Sequence, residues 1–597
     1  MSQSQRPGMG AIPFDGGTTF RVWAKFATSV HVAGSFNAWS ETETPLYQEG
    51  GGYWSADTRA EIGDEYKYVI HNGETKLLKN DPCARELTHS AGVSIVSARH
   101  FDWQNDSFVT PPWNDLVIYE VHVGTFNDHE GGPVGQLSAV QQRLTYLRDL
   151  GINCLELMPL MEFEADHSWG YNVSYPYAIE RAYGGPAALK ELVREAHKMG
   201  IAVILDVVYN HLGPNNLDMW QFDGWTVDGG GGIYFYNDDR KFTPWGDTRP
   251  DYGRPEVRQY FHDNAMMWID EFHVDGLRFD ATVCVRREKG FCGGSCCGAE
   301  IPEGWSLLQW INDSVRSKYI NKLTIAEDMQ GEEALIRDTN TGGAGMGTQW
   351  APEFVHTMRS VLSPPSDEAR DTRKVTYAVT QRYTTDAFRR VIYTESHDDV
   401  ANGRARLSQE IDHGDPGSYY ARKRVTLGAA VLMTSPGIPM LFQGQEILED
   451  EWFRDTDPID WNKLNRFRGV HDAFRDLIKL RRNWLNNTRG LRGQNVNVYH
   501  ENNEGKLVAY HRWEDGGVGD DVVVVLNFSY RAFSAYRLGL PHPGTWFVRF
   551  NSDAGLYDPE FGAVHCYDTV AETWPLDGMP YSGDVAIGPY SAVIFSQ

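Results

Sequence analysis

The chain has 597 residues, of which 41% are hydrophobic and 23% charged, so it can bury large cores and is not a disordered polymer. Its formal charge of −26 repels phosphate backbones and anionic lipids, which disfavours nucleic acids and membranes as partners. The first residues lack the apolar segment of a secretory signal, and the 7 cysteines do not suggest a disulfide framework. We therefore expect a cytoplasmic protein.

The first hundred residues have the pattern of an all-β module. Short alternating runs such as TTFRVWAKF, SVHVAGSF and DEYKYVIH are separated by Gly, Asn and Asp turns. Residues 1–104 are therefore predicted to form an N-terminal β-sandwich. Trp39, in its SFNAWS turn, could lie at the surface, although a core position is the commoner place for such a residue. A polar stretch that ends at Pro111 and Pro112 predicts a linker.

From about Trp113 the pattern changes to apolar strands that alternate with helical segments, which is typical of a parallel sheet in an α/β protein. The eight strand candidates are residues 117–124, 153–160, 201–210, 274–282, 323–328, 345–350, 391–398 and 438–444. Eight such units predict a closed (β/α)₈ (TIM) barrel over residues 105–487, with an excursion at about 212–272 after strand three. Residues 488–597 return to short alternating runs and predict a C-terminal β-sandwich domain.

Acidic residues recur at the C-terminal ends of the predicted strands, which is where barrels of this kind carry their active sites. The polar residues at the ends of strands three, four, five and seven are Asp206, Asn210, His211, Arg278, Asp280, Glu327, Asp328, His397, Asp398 and Asp399. Arg278 and Asp280 share one face of their strand, so the guanidinium would keep Asp280 ionised, whereas neighbouring carboxylates would favour the protonated form of Glu327. One ionised and one protonated carboxyl group are required for glycosidic bond cleavage, so this pattern predicts a glycosidase or a transglycosidase.

Four ordered motifs, DVVYNH (206–211), GLRFDA (276–281), IAED (325–328) and TESHDD (394–399), resemble those of the α-amylase superfamily, glycoside hydrolase family 13. WGYNVSYPYA (169–178) resembles the strand-two loop motif of that family, and the resemblance extends from about residue 113 to 480. The front module, residues 1–104, resembles the N-terminal β-sandwich of branching and debranching enzymes, which implies a carbohydrate-binding-like module in which Trp39 could serve a glycan surface site. The tail resembles the C-terminal β-domain of the family.

The resemblance implies a role for each matching residue. Asp280 would be the nucleophile that forms a β-glycosyl enzyme, Glu327 the acid/base, and Asp398 a ligand of the sugar hydroxyls that also helps to keep Glu327 protonated. Substrate-binding or supporting roles are implied for Tyr171, Asp206, His211, Arg278 and His397. Structural readings stay open: Asp206 could be mainly architectural, Tyr171 a core aromatic, and the two histidines supporting residues. The chemistry needs no metal or organic cofactor, and Ca²⁺ binding near Asn210 is left open.

The cleavage machinery alone does not determine the acceptor, which could be water, a glucan 6-hydroxyl or a glucan 4-hydroxyl. The front module, IAED and SHDD look closest to 1,4-α-glucan branching enzymes, which commonly read SHDE, so that Asp399 is a shortened variant. YEVHVGTF, DVVYNHLGP and PMLFQGQE look as much like maltooligosyltrehalose trehalohydrolase. We expect a retaining branching enzyme acting on an α-glucan such as glycogen or amylose, with hydrolysis of maltooligosyl trehalose or α-1,4-glucan as the alternative.

Two further features of the sequence allow more than one interpretation. Trp245 and Tyr252, in the excursion, could line glucan subsites or pack the loop itself. Cys292, Cys296 and Cys297 lie in FCGGSCCG, where free thiols in a glycine-rich loop are the simplest interpretation and a thiol switch is the alternative. A non-catalytic glycan-binding protein is disfavoured, because Asp280, Glu327 and Asp398 are all present.

Overall fold

A computed structural model describes residues 3–129, 131–290 and 298–597. Its N-terminal module consists of two antiparallel sheets that pack against each other, as predicted. Phe20 of one sheet contacts Tyr66 of the other, with ring centroids 4.7 Å apart. The strands, in sheet order, are Gly10–Phe14, Gly17–Trp23, Tyr53–Thr58 and Tyr47–Gly50 in the first sheet, and Ser29–Gly34, Glu65–Asn72 and Thr75–Lys79 in the second, with Ser94–Ile95 also paired to Glu65–Asn72.

Trp39 lies at the surface of this module, with 39% of its area exposed, so the core position favoured from the sequence is wrong. The preceding turn, Ser35–Asn37, is followed by two residues with left-handed backbone, Ala38 (φ 52°) and Trp39 (φ 59°). Left-handed residues reverse the local chain direction, and here the indole remains partly in solvent instead of between the sheets. The alternation in the sequence could not indicate this, because the turn interrupts the strand periodicity.

The central domain is the predicted barrel of eight parallel strands, closed in the order β2-β3-β4-β5-β6-β7-β8-β1. The strands are β1 (Ile118–Val121), β2 (Cys154–Leu157), β3 (Ala202–Val207), β4 (Gly276–Phe279), β5 (Leu323–Ala326), β6 (Thr348–Trp350), β7 (Arg390–Tyr393) and β8 (Ile438–Phe442). Each lies within one residue of its predicted segment. All eight are buried, which explains why they are nearly continuous apolar runs.

Helices surround the barrel and cover its outer face. They are Val123–Phe126, Leu137–Gln142, Leu144–Leu150, Gly185–Lys198, Pro255–Asp270, Thr282–Arg286, Pro302–Lys318, Glu333–Ile336, Pro352–Leu362, Thr372–Thr380, Leu407–Ile411, Tyr419–Thr434, Lys463–Arg466 and Arg468–Arg481. Gly185–Lys198 shows why such segments are helical: Leu189, Leu192, Val193 and Ala196 recur at helical spacing and are buried. None of the helices in the described part of the chain has the length and hydropathy that crossing a membrane requires.

The long β3–β4 connection ends in the helix Pro255–Asp270, and its preceding part contains the short turns Gly232–Tyr234 and Asp239–Lys241. The N-terminal module rests on this connection. Phe26 stacks on Trp225 with ring centroids 4.7 Å apart, and the Phe26 backbone N–H donates to Asp223 Oδ2 at 2.8 Å. A hairpin, Met161–Phe163 with Val173–Ile179, carries the loop that contains Tyr171.

The C-terminal domain is all-β, as predicted. A six-stranded sheet is formed by Asn495–Asn502, Leu507–Trp513, Val522–Asn527, Ser591–Ser596, Gly544–Asn551 and Thr569–Ala571, and a two-stranded sheet by Phe533–Leu540 and Tyr581–Ile587. Buried side chains from both sheets, including Trp546 and Leu538, form one core. A buried ion pair of 2.5 Å between Lys423 Nζ and Asp553 Oδ1 joins this domain to a barrel helix.

Candidate active site

The carboxylate of Asp280, which follows β4 directly, is held from two sides. Arg278 Nη1 donates to Asp280 Oδ1 at 2.9 Å, and Asn210 Nδ2, from the end of β3, donates to Oδ2 at 2.7 Å. Arg278 has no exposed surface, whereas Asp280 is slightly open to the mouth of the barrel. Two donors therefore fix the orientation of a carboxylate that solvent or a ligand can reach.

Glu327, which follows β5, is positioned beside Asp280 by the backbone after β4. The Ala281 N–H donates to Glu327 Oε2 at 2.5 Å, and Arg278 Nη2 lies 3.6 Å from the same oxygen. Ala281 has a left-handed backbone with φ 39°, a conformation that costs energy for a residue with a Cβ and is found at functional sites. This strained residue points its N–H at Glu327.

Burial raises the pKa of Glu327 to about 8, with further upward contributions from the charges of Asp280 and Asp398 against the opposing effect of Arg278. Glu327 therefore carries a proton near neutral pH. Asp398, after β7, is different: 48% of its side chain is exposed, and its Oδ1 lies 3.6 Å from His397 Nε2. The three predicted catalytic residues thus lie around one opening, and the most exposed of them is free to meet a ligand.

Tyr171 and Asp206 form a support on the β2 and β3 side of the opening. The Tyr171 hydroxyl donates to Asp206 Oδ2 at 2.6 Å, and Arg278 Nη1 donates to the same oxygen at 2.7 Å. The Tyr171 ring stacks on His397, with centroids 5.1 Å apart and planes 23° apart. Burial raises the pKa of Asp206 to about 6. These contacts favour an architectural function for Asp206, the open alternative from the sequence.

The two histidines have opposite charge states. Burial lowers the pKa of His211 to about 4, so this ring is neutral, and its Nδ1 lies 2.5 Å from Asn210 Oδ1. For His397, burial acts downward, but Asp398 and Glu120 outweigh it and raise the pKa to about 9. His211 thus supports Asn210, the donor to Asp280, whereas His397 brings a positive charge to the site.

The structure separates the two aromatic residues of the excursion. Trp245 lies over His211, with ring centroids 4.6 Å apart and planes 16° apart, and keeps 43% of its area exposed. Tyr252 is fully buried, and its hydroxyl donates to the Tyr209 carbonyl at 2.6 Å. Trp245 therefore lies at the rim of the opening, and Tyr252 packs the loop.

The sequence did not indicate three contacts of the site. Asn210 lies at a predicted strand end, but nothing in the sequence indicates its hydrogen bond to Asp280. Trp350 of β6 places its ring 4.5 Å from the Arg278 guanidinium carbon. Glu120 of β1 contacts His397, with Oε1 and Nδ1 2.5 Å apart. A signal existed for Glu120, because a carboxylate inside the apolar run VIYEVHVG requires a partner.

Two neighbours of the predicted catalytic residues have structural contacts. Asp328 accepts from Arg286 Nε at 2.9 Å and Nη2 at 2.7 Å, which fixes the end of β5. Asp399 accepts from Ser396 Oγ at 2.8 Å and is buried. Cys292, Cys296 and Cys297 lie outside the described residues. Within the described ranges no group of three or more His, Cys, Asp and Glu residues is arranged to hold a metal ion, and the need for no metal or cofactor stays a prediction.

Models of three protein families match consecutive parts of the chain. The α-amylase catalytic domain matches residues 120–222 and 214–484, carbohydrate-binding module 48 (isoamylase N-terminal domain) matches residues 8–84, and the α-amylase C-terminal all-β domain matches residues 498–597. The chain belongs to the α-amylase family, glycoside hydrolase family 13. The family resemblance inferred from the four motifs is therefore confirmed.

Relatives of this α-amylase-family chain match it over nearly its whole length. A protein of Nocardia farcinica named 1,4-alpha-glucan branching enzyme GlgB is 30% identical, over 97% of this chain and 78% of its own. A protein of the same name from Pseudoalteromonas atlantica is also 30% identical, over 96% of this chain and 81% of its own. The structure of a pullulanase complexed with maltotetraose from Anoxybacillus sp. LM18-11 has a TM-score of 0.74 at 20% identity, covering 99% of this chain and 87% of the pullulanase, and so shares the fold.

Proposed function

We propose that this chain is a 1,4-α-glucan branching enzyme, which cleaves an α-1,4 bond with retention and transfers the released chain to a 6-hydroxyl. The observation that carries the chemistry is the pair of carboxyl groups held by Arg278: Asp280, oriented by two donors, and Glu327, whose raised pKa keeps it protonated. The choice of branching is supported by the near full-length similarity to proteins named as branching enzymes.

The proposed reaction has two displacements at the anomeric carbon. Asp280 attacks that carbon while Glu327 gives its proton to the departing glycosidic oxygen, which leaves a glycosyl ester on Asp280 and a carboxylate at Glu327. That carboxylate then takes the proton of the acceptor 6-hydroxyl as its oxygen attacks the anomeric carbon and frees Asp280. Net retention follows from two inversions.

The remaining site residues are proposed to bind and orient the sugar. Tyr171 offers an aromatic face to the sugar ring at the cleavage point, and the exposed Asp398 accepts hydrogen bonds from the hydroxyls of that sugar. His211 and His397 line the same opening. Arg278 and Asp206 act from below by fixing Asp280 and Tyr171.

Transfer in place of hydrolysis requires that a sugar acceptor compete with water. Trp245 supports this part of the proposal, because 43% of its area is exposed at the rim of the site beside His211, and an exposed indole is a surface against which a glucosyl ring can pack. The loop that carries it is fixed by Arg249, whose Nη2 donates to the Glu288 carbonyl at 2.7 Å. A glucosyl ring held there would exclude water from the glycosyl enzyme.

The substrate class proposed is an α-glucan such as glycogen, amylose or a maltooligosaccharide, in agreement with the carbohydrate-binding module at residues 8–84. Glycogen metabolism is the corresponding process. A cytoplasmic location remains part of the proposal. It is supported by Cys83, Cys154 and Cys566, which are free cysteines among the described residues.

The proposal is tested by incubating the enzyme with amylose and determining linkages and reducing ends over time. New α-1,6 branch points without accumulating reducing ends are the expected result. A rising number of reducing ends would show hydrolysis instead of branching. Release of trehalose from a maltooligosyl trehalose would support the trehalohydrolase alternative. The Asp280→Asn variant provides the baseline for each assay.

A further inference from the structure

The buried carboxylate of Glu120, on β1, is committed to one residue that is distant in the sequence. Glu120 Oε1 lies 2.5 Å from His397 Nδ1, and Glu120 Oε2 accepts from the backbone N–H of His397 at 3.1 Å. Only 1% of Glu120 is exposed. Because both oxygens contact the same residue, Glu120 fixes the position of the His397 backbone and the rotation of its ring together.

His397 is enclosed by aromatic rings, except toward the opening of the site. Tyr171 stacks on it, and the rings of Trp169 and Trp350 lie 6.0 Å and 6.1 Å from it. Its Nε2 faces Asp398, whose Oδ1 is 3.6 Å away. Besides Tyr171, the titratable and charged groups around the ring are Glu120 from β1, His122 directly after β1, Glu156 from β2, Arg278 from β4 and Asp398 from its own loop.

The contact with Glu120 determines what Nε2 can do. A carboxylate can only accept, so the hydrogen between Glu120 and His397 belongs to Nδ1. A neutral ring with its hydrogen on Nδ1 would present Nε2 as an acceptor, and only the imidazolium donates from both nitrogens. Although burial opposes the charged ring, Asp398 and Glu120 raise the pKa of His397 to about 9, so that the ring is charged at neutral pH.

Glu156, which is paired with Glu120 in the register of β1 and β2, cannot take over this function. It is buried, and the charge of Glu120 adds to burial in raising the pKa of Glu156 well above its ordinary range, so it is uncharged. Glu120 is thus the buried carboxylate that contacts His397 directly.

We infer that Glu120 is a positioning residue for the reaction, because it holds His397 in one orientation and in the charged form that donates from Nε2 into the site. Glu120 itself does not reach the opening and acts only through His397. The inference rests on the proposed function, since it assigns a further carboxylate, one that does not contact the substrate, to the same site. It predicts that the charge of Glu120 matters, and not its shape alone.

The test is the pH dependence of kcat for Glu120→Gln, a change that keeps the side-chain size and an acceptor for Nδ1–H but removes the charge. Without that charge the pKa of His397 should fall toward the ordinary value of about 6.5, at which the ring is only about one-tenth protonated at about pH 7.5. We expect about a tenfold loss of kcat at that pH, largely recovered near pH 5.5. An unchanged pH profile would overturn the inference.

The matched control is Glu446→Gln. Glu446 is also fully buried, but its carboxylate accepts from the hydroxyls of Tyr119 and Tyr146 instead of contacting His397. This variant should lose stability and keep the wild-type pH profile. If Glu446→Gln shifted the profile as Glu120→Gln does, the effect would be general destabilisation and the inference would fail.

Two further variants make the outcome decisive. His397→Gln should remove most of the effect of Glu120→Gln, so that the double variant is no slower than His397→Gln alone; additive losses would contradict the inference. If Glu120→Gln does not fold, Glu120→Asp is the deciding variant, because it keeps the charge. Its kcat should fall at high pH at the same pH as that of the wild type. A fall of kcat at a lower pH than in the wild type would contradict the inference. Asp280→Asn distinguishes failure of this inference from failure of the proposed function, since activity in that variant would overturn the proposed function itself.

Discussion

The two ends of β4 each carry a buried aspartate, and their environments are opposite in kind. Asp275 precedes the strand, and its two oxygens accept four contacts: Val203 N–H and His197 Nε2 at Oδ2, and the Thr110 hydroxyl and Lys322 Nζ at Oδ1, at 2.8 to 3.0 Å. Cations and hydrogen bonds there hold the pKa of Asp275 below its ordinary range although burial opposes this.

Asp280 follows the same strand and lies among other acids. Near it, within the described residues, Asp206 Oδ1 and Arg278 Nε and Nη2 are buried without a hydrogen-bond partner. Burial and neighbouring charges raise the pKa of Glu327 and Asp206. The polar groups at the N-terminal end of the barrel strands, the lower end, are thus paired and stabilise the fold. At the C-terminal end, the upper end, some polar atoms lack partners and two carboxyl groups have raised pKa values. Such an arrangement costs stability and serves activity.

The largest effect should come from Asp280→Asn at the upper end. Removing the nucleophile should lower kcat by at least about 10³-fold, while the folded structure is retained because an amide fits the same space. Initial rates of branching on amylose and a thermal unfolding curve measure the two quantities. Full activity in this variant would rule out the proposed mechanism.

At the lower end the same change, Asp275→Asn, should act on stability instead. Loss of the charge leaves His197 and Lys322 without their buried partner, which should cost about 3–5 kcal/mol of unfolding free energy. The activity per folded molecule should stay that of the wild type. Asp270→Asn, at the exposed end of a nearby helix, is the control and should change stability little. A catalytic defect in Asp275→Asn without loss of stability would break the comparison.

Glu327→Gln should be inactive and yet more stable. The folded carboxyl group has a pKa of about 8, above the unfolded value of about 4.3, so its ionisation opposes folding progressively as the pH rises between these values. The variant should therefore gain about 1–3 kcal/mol at about pH 7.5 and nothing at about pH 4. Denaturant unfolding of variant and wild type at both pH values tests this, with Glu333→Gln, at an exposed residue, as control. The same difference in unfolding free energy between variant and wild type at the two pH values would contradict the prediction.

The smallest effect is expected from His197→Gln at the lower end. Asp275 and Asp106 raise the pKa of His197 against burial, so its contribution is full below the unfolded value of about 6.5 and is lost as the pH rises through the folded pKa. The lowered pKa values of Asp275 and Asp106 give contributions that are lost as the pH falls below about 4. The variant should lose about 1–2 kcal/mol near pH 6 and less near pH 9. A loss that grows with pH would contradict the assigned charge state.

The lower end of the barrel also shows what the sequence could not predict about the linker that ends at Pro112. The stretch predicted as a linker packs there: Trp103 stacks on His273 with ring centroids 3.7 Å apart, and Phe108 on His197 at 4.4 Å. Its polar composition indicated a loop correctly. Which side chains of that loop become buried depends on the barrel surface beneath it, and local composition does not encode that surface.

At the upper end the sequence indicated Asp280 and Glu327 because each directly follows a buried strand, and Asp398 because it ends the seventh predicted strand segment; parallel strands in a barrel bring these ends together. The sequence likewise predicted the β-sandwich, the barrel and the C-terminal β-domain, because hydrophobic patterns of period two and period 3.6 are local properties of the chain.

Only the tertiary structure determined which partner each polar group obtains. Glu120 and His397 are 277 residues apart and meet only because the barrel closes between β1 and β8, next to β7. Trp245 and Tyr252 are equally aromatic in the sequence, and the fold alone places one at the rim and the other in the core. Local patterns thus specify strands, helices and their polar ends, whereas charge states and contacts depend on burial and on distant neighbours, which exist only once the chain has folded.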